Sequence, residues 1–433
     1  MFFIKILTNG FVYDKLIIVR MNAQYSEQLI NNSVQKGNNM AKKFPMGAWV
    51  YNPITDFTPD EVDVWADMGL TVTMCGTVKY DEAELVLPFL DRAKERDIKL
   101  IAWVSGIGNP RSDEAGYKAR FKELYENKLK KHPALYGFFI GDEPGNPDAV
   151  EYVIAEMKAQ KEVAPELHPY INLMGSTYSR RNIFPGKTYP EFITDFKERT
   201  ACESFCFDIY DQTINDGGVT NFYATLKAQN EAANAAGIDC WATLLSSAHW
   251  SYRIPTEYQF MWAISHSAAL GCKGIMWFRL YDREIAPEYH GSPIDEFGFK
   301  TEQYNKLMRC QKRFQEHFGE IMLGLHWKKA YLTGFPRMSY TMFNEYCHDV
   351  IKSIDVFERG VISFFEDDNG KEYFALVNAE MVQPTHFDFV YDNTKANIVE
   401  LERNGKVESR VGRRYATADL YPGQMLLFRI DRK

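Results

Sequence analysis

No stretch of 18 apolar residues occurs in this chain of 433, so no segment has the pattern of a membrane-spanning helix. Basic blocks are missing as well. The formal net charge is -8, which argues against a nucleic-acid or membrane-surface partner. No glycine-rich phosphate loop, GxGxxG or GxxxxGK(S/T), follows any apolar run, which weakens a nucleotide-binding reading. Histidines and acids do not cluster at metal-ligand spacing, so no metal and no organic cofactor is expected. Cysteine is sparse and scattered: Cys75, Cys202, Cys206, Cys240, Cys272, Cys310 and Cys347 form no CxxC pair. They read as small buried hydrophobes in a reducing, cytoplasmic setting. A signal-peptide pattern is lacking too, because Asn9, Asp14 and Lys15 interrupt the early apolar run and no small-residue cleavage site follows. Residues 1–43 are expected to be a loose arm or a non-native start, with Met40 as an alternative beginning. Nothing in the sequence speaks to oligomeric state.

From Phe44 onward, short apolar runs alternate with amphipathic stretches eight times. The runs are residues 46–51, 70–76, 98–106, 135–140, 169–174, 204–210, 240–246 and 273–280. They are β-branched or aromatic, as strands buried on both faces must be. Between them lie helix-start signals: Thr58-Pro-Asp-Glu61, Ser112-Asp-Glu, Asn146-Pro-Asp and Pro255-Thr-Glu. Eight βα units predict a (β/α)8 barrel over residues 44–324, closed by a final helix near residues 301–318. From about Leu325 the pattern changes to alternating short strands. Asp367-Asp-Asn-Gly370 and Asn404-Gly405 are hairpin signals. Residues 325–433 are expected to form a C-terminal antiparallel β-sandwich.

Function in such a barrel gathers where the strands end. The fourth run, Leu135-Tyr-Gly-Phe-Phe-Ile-Gly-Asp-Glu-Pro144, ends in two adjacent carboxylates. Burial disfavours the charged form of an acid, so a pair placed there points to proton chemistry. The bland alternative for Asp142 and Glu143 is capping of the next helix. Asp208 and Tyr210 are two apart on the sixth run and share a face. Asn172 ends the fifth run. Trp49, Trp103, Trp250 and Trp277 are candidate stacking platforms for a sugar ring. His249, Arg279 and Tyr281 complete a polar and aromatic ring suited to a polyhydroxylated ligand.

Residues 44–320 resemble the clan-A barrels of glycoside hydrolases, in which the fourth strand ends Asn-Glu-Pro. This chain has Gly141-Asp142-Glu143-Pro144, with Asp in place of Asn. The resemblance implies a carbohydrate substrate, probed from the barrel mouth, and Glu143 as general acid/base. Clan-A enzymes also carry a nucleophilic Glu at the end of strand seven, where this chain shows Trp241-Ala-Thr-Leu-Leu-Ser-Ser247 and no acid. Asp208, or less readily Asp211 or Asp282, is one replacement. Another comes from a resemblance to β-N-acetylhexosaminidases with adjacent Asp-Glu pairs. That resemblance implies that Asp142 holds a 2-acetamido group, Glu143 protonates the leaving oxygen and Tyr210 positions the amide. A third reading is a carbohydrate-binding barrel without catalysis.

Overall fold

The structure is a computed structural model that describes residues 42–175, 183–210, 216–283, 288–335 and 341–433. The expected arm over residues 1–43 falls almost wholly outside them, as does Asp211. Eight parallel strands make the barrel: β1 Met46–Ala48, β2 Val72–Lys79, β3 Lys99–Ser105, β4 Leu135–Asp142, β5 Tyr170–Leu173, β6 Ser204–Asp208, β7 Asp239–Leu245 and β8 Gly274–Phe278. Each falls within a few residues of its predicted run. Eight helices follow them in turn: α1 Glu61–Met68, α2 Leu87–Glu95, α3 Glu114–Glu123, α4 Pro147–Val163, α5 Tyr189–Thr200, α6 Asp216–Ala236, α7 Glu257–Ala269 and α8 Glu302–Phe314.

Most of the start signals act as expected. Asp113 accepts from the Gly116 N–H, Asn146 from Ala149 and Thr256 from Gln259. The Thr58 signal is the exception. Residues 58–60 form a turn, with Glu61 N–H on the Thr58 carbonyl at 3.0 Å, and α1 begins at Glu61 without a side-chain cap.

The β1–β2 seam closes the barrel in an unusual manner. Met46 N–H and Ala48 N–H donate to the hydroxyls of Thr71 and Thr73, at 2.9 and 3.0 Å, instead of to backbone carbonyls. Thr71 N–H returns a bond to the Met46 carbonyl at 2.7 Å. The strands approach so closely that a Cβ on Gly47 would sit 2.0 Å from the Val72 carbonyl oxygen, which explains the glycine.

Beyond the barrel, antiparallel strands form a six-stranded and a three-stranded sheet. Both hairpin signals sit at turns, with Gly370, Asn404 and Gly405 at positive φ. In the larger sheet, strands Arg359–Asp367, Glu372–Asn378 and Met425–Arg432 are buried on both faces. Ile362, Phe364, Phe374, Leu376 and Phe428 pack toward the smaller sheet. Their alternates Val361, Phe365, Ala375, Val377 and Leu427 join the barrel's own core. Trp262 of α7 fastens this contact by donating its indole N–H to the Ala379 carbonyl at 3.0 Å.

Candidate active site

Three neighbouring strands bring together the acids singled out in the sequence. Asn172, at the end of β5 and 0% exposed, donates its amide nitrogen to Asp142 on β4 at 2.8 Å and to Asp208 on β6 at 2.9 Å. Its amide oxygen accepts from Thr243 on β7 at 3.2 Å, and Thr243 lies beside Tyr170 and Cys206 in a buried polar layer. This inaccessibility corrects the expected substrate-binding role of Asn172. It is a positioning residue that holds two carboxyls apart by a fixed fork.

Glu143 takes an unusual backbone. Its N–H continues the ladder onto the Asn172 carbonyl at 2.8 Å, but its φ is +43°, the left-handed region that non-glycine residues seldom occupy. Adjacent residues of a regular strand point to opposite faces. The left-handed turn breaks that alternation and lets Asp142 and Glu143 face one mouth. Glu143 reaches a side-chain hydrogen bond with Asp208 and feels the Asp142 charge. Neither acid caps α4; Asn146 does.

The three carboxyls crowd one another. Asp142 and Glu143 are open to solvent, yet they sit low in the mouth among dense protein. Burial raises both pKa values; for Glu143 the Asp142 charge adds to it, and the Asp208 hydrogen bond opposes it. Asp208 is pushed furthest, first by burial and then by the charges of Asp142 and Glu143, against hydrogen bonds from Asn172 and Tyr210. The direction is clear: Asp208 holds a proton into a range where surface aspartates have lost theirs.

An aromatic lining surrounds the acids. Tyr51, Trp103 and Phe139 pack with centroids 4.3–5.4 Å apart in successive pairs, and Tyr210 packs on Phe278 and Tyr252 at 5.8 and 5.7 Å. Burial pushes the Tyr51 phenol up; Asp142 and Asp208 push the same way and Arg279 opposes them. Sequence reasoning passed over Tyr51 as a site residue, although it lies two after Trp49 and so shares its face. Tyr289 was also missed. It comes from the excursion after β8, pairs with His249 in a two-residue ribbon, and carries no strand-end signal.

The four tryptophans part company. Trp103 is half-buried beside Tyr51, and Trp250 is 67% exposed at the rim, its N–H on the Tyr289 hydroxyl at 3.1 Å. Two others are corrected. Trp49 is 1% exposed, stacked on Tyr51 at 5.7 Å and edged by Phe139 and Tyr170, so it plugs the lumen below the site. Trp277 is wholly buried, donates to Gln311 of α8 at 3.1 Å and packs on Phe260 of α7, because alternation along β8 turns it into the helical layer. Tyr281 is corrected too, since it is tied to the helical layer: its hydroxyl donates to Glu61 and accepts from Trp65, both of α1 and both at 2.6 Å.

At the end of β7 no acid is present. Ser246 and Ser247 instead donate to the carbonyls of Arg279 and Phe278 at 2.9 and 3.5 Å. Asp282 is engaged by Ser292, whose N–H and hydroxyl donate to its two oxygens at 3.1 and 2.5 Å. Among the described residues, no group of three His, Cys, Asp or Glu side chains is placed to hold a metal ion, and no helix is long and apolar enough to cross a membrane.

No family model matches the chain, and no curated protein matches it. Solved structures do. One described as a glycoside hydrolase is 12% identical, with a TM-score of 0.54 over 92% of this chain and 94% of its own. A glycoside hydrolase of family 5 from Bacteroides vulgatus is also 12% identical, with a TM-score of 0.54 over 90% of this chain and 89% of its own. At that identity the likeness establishes a shared fold, barrel and C-terminal sheets together.

Proposed function

We propose that this chain hydrolyses glycosidic bonds, with Glu143 as the general acid. The observation that carries the reading is the set Asp142–Asn172–Asp208–Glu143, whose Asp142 and Glu143 are open to solvent at the barrel mouth, lined by tyrosines and Trp103. Burial and the Asp142 charge favour the protonated form of Glu143, which is what a proton donor to a leaving alcohol requires. As the bond from the anomeric carbon to oxygen breaks, the Glu143 proton passes to the departing oxygen. Glu143, now ionised, then takes a proton from the water that completes hydrolysis.

The group that stabilises the anomeric carbon is the substrate's own 2-acetamido oxygen in the version the geometry favours. Asp208, held protonated by burial and by the charges of Asp142 and Glu143, suits a proton partner of Glu143 better than a nucleophile. Strand seven offers only serines tied to backbone carbonyls. Asp142, held by Asn172 beside Glu143, is then the group that orients the acetamide.

Turnover of aryl β-glycosides, with and without the 2-acetamido group, tests both statements. Glu143→Gln is expected to lower kcat by about 10²–10⁴ on every substrate cleaved. Asp142→Asn is expected to act mainly on acetamido sugars. Sugar binding without turnover by the unaltered chain across the panel would leave a carbohydrate-binding barrel instead.

A further inference from the structure

The wall of the mouth across the barrel from the acids carries positive charge. Arg279 follows β8 and is nine-tenths buried, at 9% exposure. Its guanidinium lies 4.9 Å above the Tyr289 ring. Among the described residues its ion-pair partner is Asp282, whose Oδ1 is 3.9 Å from Nη2, beyond hydrogen-bond reach and already used by Ser292. Among the described residues, the buried Arg279 Nε has no hydrogen-bond partner; neither has Nδ1 of His249, on the same wall. Buried polar atoms are normally satisfied, so these two call for a ligand atom or water.

The charges around them sharpen the point. Arg283, four residues on and exposed, is a second cation; burial lowers the Arg279 pKa, the Asp282 charge opposes it and the Arg283 charge adds to it. His249 is neutral near pH 7, its pKa lowered to about 4 by burial and by the Arg279 charge. Tyr51 feels both the acids and the arginine.

Resting on the glycosidase reading, we infer that the substrate carries an anionic substituent, a carboxylate or a sulfate ester, which Arg279 binds across the mouth from Glu143. Guanidinium presents planar paired donors to such an oxyanion, and a half-dry site strengthens the contact. The Tyr289 ring below fixes the plane of the guanidinium.

The test compares kcat/KM within matched pairs: 4-nitrophenyl β-galactoside with the β-galacturonide, and 4-nitrophenyl N-acetyl-β-galactosaminide with its 6-sulfate. The acidic member of one pair is expected to be preferred at least tenfold, and which pair shows it separates carboxylate from sulfate. Arg279→Met is expected to reduce that preference by about 10–100-fold, with Arg279→Lys between. Preference for the neutral member in both pairs, or a preference that survives Arg279→Met in folded protein, overturns the inference and leaves the hydrolase reading standing. If no glycoside is turned over, the hydrolase reading fails separately. Thermal shift then decides: stabilisation by galacturonate or galactose 6-sulfate but not galactose, lost in Arg279→Met, supports the anion site, and its absence overturns it.

Discussion

Two of the sets of carboxyls with raised pKa values in this barrel differ in where they point. Glu156 sits inside the helical layer, on α4. It accepts from the Tyr117 hydroxyl at 2.9 Å, and Gln160, one turn on, donates to that same hydroxyl at 2.9 Å. Burial pushes its pKa up to about 7, with no other carboxylate among the causes. Asp208 and Glu143 are raised by burial and by the charge of Asp142, which Glu143 reinforces at Asp208, at a mouth that solvent enters. A displaced pKa therefore does not mark a site in this molecule. Mutual repulsion among acids, at a strand end, does.

That contrast can be broken by mutation. The largest effect is expected at Asp208: Asp208→Asn removes the proton partner of Glu143, and kcat/KM should fall by about 10²–10³, while Glu156→Gln leaves activity within about twofold. Comparable losses in both variants would erase the distinction. Glu156 should instead show itself in stability. Its folded pKa, about 7, lies above the ordinary value of 4.5, so its contribution is complete below 4.5 and is lost as pH rises through 7. Glu156→Gln should therefore raise stability at pH 8 by up to about 3 kcal/mol, and the gain should vanish toward pH 4.5. Denaturant melts across that range provide the check; a gain that grows on acidification contradicts it. The smallest effect concerns Asp142. Its charge helps to raise the Glu143 pKa, so Asp142→Asn should move the alkaline limb of the kcat/KM profile to lower pH. A limb that stays put, or moves up, would mean that Asp142 does not act on Glu143 in this way.

Much of the barrel was legible because strands buried on both faces read as unbroken apolar runs, such as Leu135–Asp142. Trp277 and Tyr281 misled for a related reason. Residue type alone does not say which side of a strand end faces the lumen, and one step along β8 separates Phe278, packed against Tyr210 and His249, from Trp277 in the helical layer. Asp142 and Glu143 were legible as a pair, but not the backbone that makes them one, since a regular strand would send them to opposite faces. Only the left-handed backbone at Glu143 reconciles them. The fork of Asn172 spans three strands, far apart in the chain, and no local pattern announces it.

The larger C-terminal sheet imposes an order on the making of this protein. Met425–Arg432, the last of its strands to be synthesised, lies in the middle of the sheet, between Glu372–Asn378 and Ala396–Glu402. Until it emerges from the ribosome, the sheet cannot zip up, and the face of α7 around Trp262 stays greasy and bare. Newly made barrels thus pass through an interval in which they adhere to one another or need a chaperone's cover.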